Sequence, residues 1–267
     1  MKNKVVIITG ASSGIGKACA WIFAQAGAQV VLAARNLEKL KLVCEELQQA
    51  GFTALAVRAD VSKQEDCQNL ISEAVTAFQG VDVLINNAGI SMRATLEQVE
   101  VSVIRQLMET NFFGTVYCTK YALPYLLKSK GSVVGVSSIA GYKGIPARTG
   151  YSASKFAMHG FLESLRLENL KKELHVLIVC PGFTASNIRN TALGSDGNMQ
   201  GESPRDEQKM MQPEEVAEFI LKAVLKRQNS LTLTTNGKLT VWLNKFFPKW
   251  VDRLVYNHIR KESDSPF

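Results

Sequence analysis

A doubly wound α/β domain on a parallel sheet is predicted by three observations: short β-branched runs recur along the chain, longer amphipathic stretches separate them, and a glycine-rich turn follows the first run. The runs are VVII (5–8), VVLA (30–33), ALAV (54–57), DVLI (82–85), SVVGV (132–136), HVLIV (175–179) and LTLT (231–234). Continuous apolar strands of this kind belong to sheets covered by helices on both faces, whereas a half-exposed strand alternates apolar and polar residues. With 267 residues, 46% of them hydrophobic, the chain can fill one large core. It contains no Gly/Ser/Pro-rich linker, internal repeat or low-complexity tract. One domain is therefore expected over residues 1–237, followed by an extension at 238–267.

The first strand leads into TGASSGIG, Thr9 to Gly16, and then into the helical run KACAWIFAQAG. Glycines at such a junction permit a tight turn and let a phosphate approach main-chain N–H groups at the positive end of the helix. Gly10, Ser12, Ser13, Gly14, Ile15 and Gly16 are the candidate pyrophosphate cradle, although the spacing G-x-x-x-G-x-G also suits an ordinary strand-to-helix turn. The second strand ends in AARN. An acidic residue at this point binds ribose hydroxyls, while an arginine accommodates a 2′-phosphate through charge-assisted hydrogen bonds. Arg35 thus favours NADP(H) over NAD(H), with Ser12 and Ser13 as further donors; a solvated strand-end charge is the plainer reading.

YSASK, residues 151–155, opens an amphipathic run after a bend rich in Gly and Pro. A Tyr and a Lys four residues apart share one helix face, and such a pair alone commonly decorates a solvated surface. Here other motifs accompany it in fixed order: the Thr9–Gly16 loop, NNAG at Asn86 to Gly89, Asn111, Ser138 at 13 residues before Tyr151, and Pro181-Gly182. Together they closely resemble the short-chain dehydrogenase/reductase family over residues 4–235, in the layout of its hydroxysteroid-dehydrogenase-like branch. The resemblance implies a Rossmann-like, seven-stranded sheet, a nicotinamide cofactor and a catalytic tetrad of Asn111, Ser138, Tyr151 and Lys155. Tyr151 would be the proton donor to the substrate oxygen, Ser138 would polarise that oxygen, and Lys155 would stabilise the phenolate and grip the nicotinamide ribose. Asn111 would hold a water linking Lys155 to solvent, and its amide can at the same time satisfy a helix irregularity. Ser137 is the weaker alternative to Ser138. The resemblance also places Asp60 beside the adenine and Asn87 and Gly89 at the cofactor's border. It puts Pro181, Gly182, Thr184 and Ser186 near its carboxamide and phosphates; the family often has Thr where this chain has Ser186.

Composition narrows the partners. A net charge of +7 and a pI near 9.1 suit a polyanionic ligand, but Lys and Arg are spread along the chain rather than gathered beside stacking aromatics, so nucleic-acid binding is not expected. Five cysteines, Cys19, Cys44, Cys67, Cys118 and Cys180, form no C-x-x-C pair and have no histidine at ligand spacing, so no metal site is expected. They read as buried thiols in a reducing compartment. The apolar stretch at the N-terminus is too short for a signal-peptide core or a membrane span, and a soluble cytoplasmic protein is expected.

Two segments depart from the alternating rhythm. Residues 185–212 form a long polar loop after the sixth strand, at the end of the sheet where ligands bind, and are expected to act as a lid with Met199, Met210 and Met211 as a soft lining. The extension carries Trp242, Leu243, Phe246, Phe247, Trp250, Val251, Leu254 and Val255 at helical spacing with a break near Pro248. Packing against the body or a partner subunit is the first expectation for it, with a surface-lying membrane contact and a contribution to the substrate entrance as lesser ones. The leading functional reading is an NADP(H)-dependent interconversion of a hydrophobic ketone or aldehyde with its alcohol, by a homodimer or homotetramer. Reduction of a 3-oxoacyl thioester on an acyl carrier protein and a non-catalytic dinucleotide sensor are the alternatives.

Overall fold

The computed structural model describes residues 1–201, 210–262 and 265–267, so residues 202–209 of the expected lid lie outside the described residues. Its centre is one seven-stranded sheet in the order β3-β2-β1-β4-β5-β6-β7, with every neighbouring pair parallel. The strands are β1 (Val5–Thr9), β2 (Gln29–Ala34), β3 (Ala54–Arg58), β4 (Val83–Asn86), β5 (Ser132–Val136), β6 (His175–Cys180) and β7 (Ser230–Thr232). The strand order reverses between β1 and β4, which opens a crevice beyond their carboxyl ends.

Strand side chains alternate between two cores, as the two-residue period requires. Val6, Ile8, Val30 and Leu32 pack with α1 (Gly14–Gln25), α2 (Leu37–Gln49) and α7 (Pro213–Leu225). Val5, Ile7, Val31 and Ala33 pack on the other side with α3 (Gln64–Phe78), α5 (Gly114–Lys128) and α6 (Thr149–Glu168). Burying each large aliphatic side chain contributes about 2 kcal/mol, so both faces hold the sheet flat against its helices. The five cysteines are buried and free.

The last predicted strand is shorter than its sequence pattern. Thr234 leaves the sheet, because its hydroxyl accepts from Gly237 N at 3.1 Å and caps α8 (Thr235–Phe246). Proline at the first turn of α9 (Pro248–Ile259) produces the expected break, with Phe247 as the joint. The extension does not bury the aromatic side chains that its sequence brings together. Val251 and Ile259 are covered, but Trp242 is 57% and Phe246 61% exposed. The inward stripe of α9 is satisfied by two aliphatic residues, and the aromatics fall on the outward side.

Candidate active site

The glycine-rich turn between β1 and α1 depends on backbone that other residues cannot supply. Gly10 (φ +67°) and Gly14 (φ +51°) are left-handed, and a Cβ on Gly16 would stand 2.2 Å from Gly10 O. The turn is braced from β4: Asn87 Nδ2 donates to Thr9 O at 2.9 Å and Gly10 O at 3.3 Å, and the Asn87 and Ala88 amides donate to Thr9 Oγ1. The Asn87 side chain therefore shapes the cradle. Ser12 is half-buried and Ser13 exposed beside the start of α1, while Ile15 packs into the core. Across the cradle, Ser186 lies 3.4 Å from where a Gly14 Cβ would be.

Further along the same edge, Arg35 stands exposed just after β2. The Asp60 carboxylate accepts from Ser62 N and Oγ, fixing the turn before α3. Pro181 is buried and Gly182 packs on Thr234. Thr184 is buried and turns its hydroxyl back to Gly182 O at 3.3 Å, leaving Ser186 as the hydroxyl beside the cradle.

The four expected catalytic residues converge. Asn111 lies in a π-helical turn (Met108–Phe113) between α4 (Val101–Leu107) and α5, an irregularity common at functional sites. Its side chain is fully buried and engaged: Oδ1 accepts from Ile90 N at 2.8 Å, and Nδ2 donates to Ile90 O and Ser154 Oγ. A Cβ on Gly89 would sit 3.1 Å from Asn111 Oδ1 and 3.6 Å from Lys155 Nζ, so glycine there lets all three meet. Ser138 opens a short 3₁₀ turn (Ile139–Gly141), its hydroxyl accepting from Ala140 N at 3.2 Å, and lies near enough to Tyr151 to favour its phenolate. Ser137 instead has its hydroxyl 2.7 Å from His159 Nε2.

Burial pushes the Tyr151 phenol above its usual 10, while the Ser138 hydrogen bond and the Arg148 and Arg189 guanidinium groups pull it back. Lys155 lies 5.8 Å from the Tyr151 ring centroid and donates to Val136 O at 2.9 Å. Burial lowers it from 10.5 to about 8. Behind it, burial and then the Lys155 charge lower His159 to about 4, and burial raises the Cys180 thiol to about 12. The lysine thus rests on neutral neighbours. Among the described residues no cluster of His, Cys, Asp and Glu could hold a metal.

A glycine cradle with no room for a Cβ, facing a Ser–Tyr–Lys group, fits a nicotinamide dinucleotide. Comparison with known proteins agrees: the family model for short chain dehydrogenase matches residues 4–195. The chain belongs to the short-chain dehydrogenase/reductase family. Similar proteins include the dehydrogenase/reductase SDR family member 7B of Danio rerio, 36% identical over 98% of this chain and 88% of that protein. The 11-beta-hydroxysteroid dehydrogenase A of Sesamum indicum is 37% identical over 95% and 76%. Among solved structures, an alcohol dehydrogenase from Thermococcus sibiricus complexed with 5-hydroxy-NADP superposes with a TM-score of 0.76 at 27% identity, covering 86% of this chain and 95% of that one. A short chain dehydrogenase/reductase from Burkholderia phymatum in complex with NAD shares the fold, with a TM-score of 0.84 at 24% identity over 93% and 95%.

In this short-chain dehydrogenase/reductase the wall beside Tyr151 is apolar. Ile90, Met92, Val103, Leu107 and Leu193 cluster there, with Ile104 and Tyr151 against them. The described part of the 185–212 loop closes that wall: Leu193 N donates to Ser91 O and Arg93 N donates to Leu193 O, both at 2.9 Å. The expected methionine lining takes up three different positions, with Met210 half-buried. Met199 is 64% exposed, Met211 packs against the core, and Leu193 is the loop residue that joins the cluster beside Tyr151, bridged to Met92 by backbone bonds. Arg148 and His159 were not singled out from sequence. Arg148, three residues before Tyr151, pairs with Glu262 at 3.1 Å and keeps Nη1 buried without a partner among the described residues. One turn's spacing from Tyr151 was the available signal for Arg148; His159 had none, since its contacts come from β5 and β6.

Proposed function

We propose that the protein is an NADP(H)-dependent carbonyl reductase acting on a hydrophobic, steroid- or lipid-like ketone or aldehyde. The observation that supports this most directly is the approach of Ser138 and Lys155 to Tyr151, whose ring packs against an apolar cluster. The Gly10–Gly16 turn would hold the pyrophosphate, Arg35 the 2′-phosphate, Asp60 the adenine side and Lys155 the nicotinamide ribose. Bound there, the cofactor supplies the hydride. Tyr151 donates the proton to the substrate oxygen, and a phenol held above 10 by burial is protonated at neutral pH, which suits reduction. Ser138 donates a second hydrogen bond as negative charge develops on that oxygen. Lys155, cationic below about 8, lowers the cost of the phenolate left behind. The reading includes a cytoplasmic location, in line with five free, buried thiols, and a dimeric or tetrameric assembly.

Turnover of a panel of steroid and retinoid ketones, simple aldehydes and acetoacetyl thioesters, followed by NADPH absorbance, tests it. Reduction of apolar ketones with NADPH is expected, and Arg35→Ala should weaken NADPH binding about tenfold while leaving NADH unchanged. Exclusive reduction of the thioester, or no turnover of any carbonyl, overturns the substrate or the enzymatic reading respectively.

A further inference from the structure

The extension forms a helical hairpin whose largest side chains face outward. Leu239, Trp242 and Phe246 follow one face of α8 and are 51%, 57% and 61% exposed, and Phe247 and Trp250 continue at the bend with 57% and 52%. The Trp242 and Phe246 rings stand 5.4 Å apart, so the patch is continuous there. On α9, by contrast, Val251 and Ile259 are buried. A contiguous exposed aromatic patch of this kind marks a binding surface.

Charge indicates what binds. The acidic residues of the described extension, Asp252 and Glu262, are each paired with a cation of the body, Lys143 and Arg148. Lys238, Lys245, Lys249 and Arg253 are exposed, and none pairs with an acid among the described residues. The aromatic patch is therefore rimmed by uncompensated positive charge. A second copy of the chain on a two-fold axis would bring those same cations face to face. Tryptophan and phenylalanine flanked by Lys and Arg on a short helix is instead the composition of an element that lies in a lipid headgroup layer.

We propose that the α8–α9 hairpin docks the protein on the surface of an anionic lipid bilayer, aromatics in the acyl boundary and cations against the headgroups. The contact is superficial: among the described residues no helix is long and apolar enough to cross a membrane. The hairpin also reaches the mouth of the crevice, through Glu262 on Arg148 and the His258 ring 6.1 Å from that of Phe183.

The test is flotation of the full chain with vesicles of phosphatidylcholine alone and of phosphatidylcholine with phosphatidylserine. Binding to the anionic vesicles that weakens with added salt is expected. Trp242→Ser/Phe246→Ser should reduce it about tenfold or more, and Lys245→Glu/Lys249→Glu should remove the preference for anionic lipid. Circular dichroism and thermal unfolding of each variant separate loss of docking from loss of fold. The proposal is overturned by failure to bind either vesicle, or by binding that neither variant changes. It is also overturned if sedimentation shows a dimer that Trp242→Ser/Phe246→Ser dissociates, which would make the face a contact between copies. Vesicle binding needs no substrate, so its failure is distinct from failure of the reductase reading.

Discussion

In the crevice, the Asn111 amide, the Lys155 ammonium and the Ser137 hydroxyl each have a partner from a different element, whereas in the α8–α9 hairpin the tryptophans and phenylalanines face outward. The first region is over-determined: a π-helical turn, a strand end and a helix fix each group, and removing one group leaves another buried without a partner. The second is anchored by two aliphatic side chains and two ion pairs to the body, so its outer face is free to change. Chemistry needs the first arrangement, since a proton donor must be held in place. A surface that meets a partner needs only the second.

Substitutions should separate the two regions by size of effect. Tyr151→Phe keeps the ring and its burial but removes the proposed proton donor, and NADPH-linked turnover should fall about 10³-fold or more with little change in thermal unfolding. Next comes Lys155→Met. The folded lysine sits at about 8 against an ordinary 10.5, so the unfolded chain holds more protons between those values, and wild-type stability should rise with pH across that window. The shift corresponds to about 3 kcal/mol. Lys155→Met should flatten the rise in urea-unfolding free energy, raise stability at neutral pH by up to that amount, and abolish turnover; an unchanged pH profile would break the contrast between crevice and hairpin. Gly16→Ala places a Cβ 2.2 Å from a backbone oxygen, and a loss of about 2 kcal/mol is expected, with weakened cofactor binding in titration. Smallest of all, Trp242→Ser should alter unfolding free energy by less than about 0.5 kcal/mol, because its side chain gains little cover on folding. A loss comparable to that of Gly16→Ala would show that the face is structural after all.

His159 adds a pH test on the acid side. Lowered from 6.5 to about 4 by burial and by Lys155, it resists protonation in the fold, so stability should decline as pH falls from 6.5 towards 4. His159→Gln can keep a bond to Ser137 Oγ while removing the titration, and should flatten that decline in acid-unfolding curves.

The seven strands, the cradle at Thr9–Gly16 and the Asn111, Ser138, Tyr151, Lys155 set were legible in the sequence, because each depends on local rules. Apolar runs report strands covered on both faces, glycine reports backbone that a Cβ would block, and four-residue spacing reports one helix face. Choosing Ser138 over Ser137 required β5 and α6 to come together, since adjacent strand-end residues point to opposite sides. The same holds for Leu193 joining the apolar cluster beside Tyr151, and for Arg148 meeting Glu262 across more than a hundred residues of chain. The hairpin shows the division most clearly: periodicity alone determined its two helices and the break at Pro248, but which stripe is buried depends on where the body presents a surface to receive it. Only the tertiary structure decided that Val251 and Ile259 turn inward while Trp242 and Phe246 face out, because burial is settled between elements and sequence periodicity describes only one element at a time.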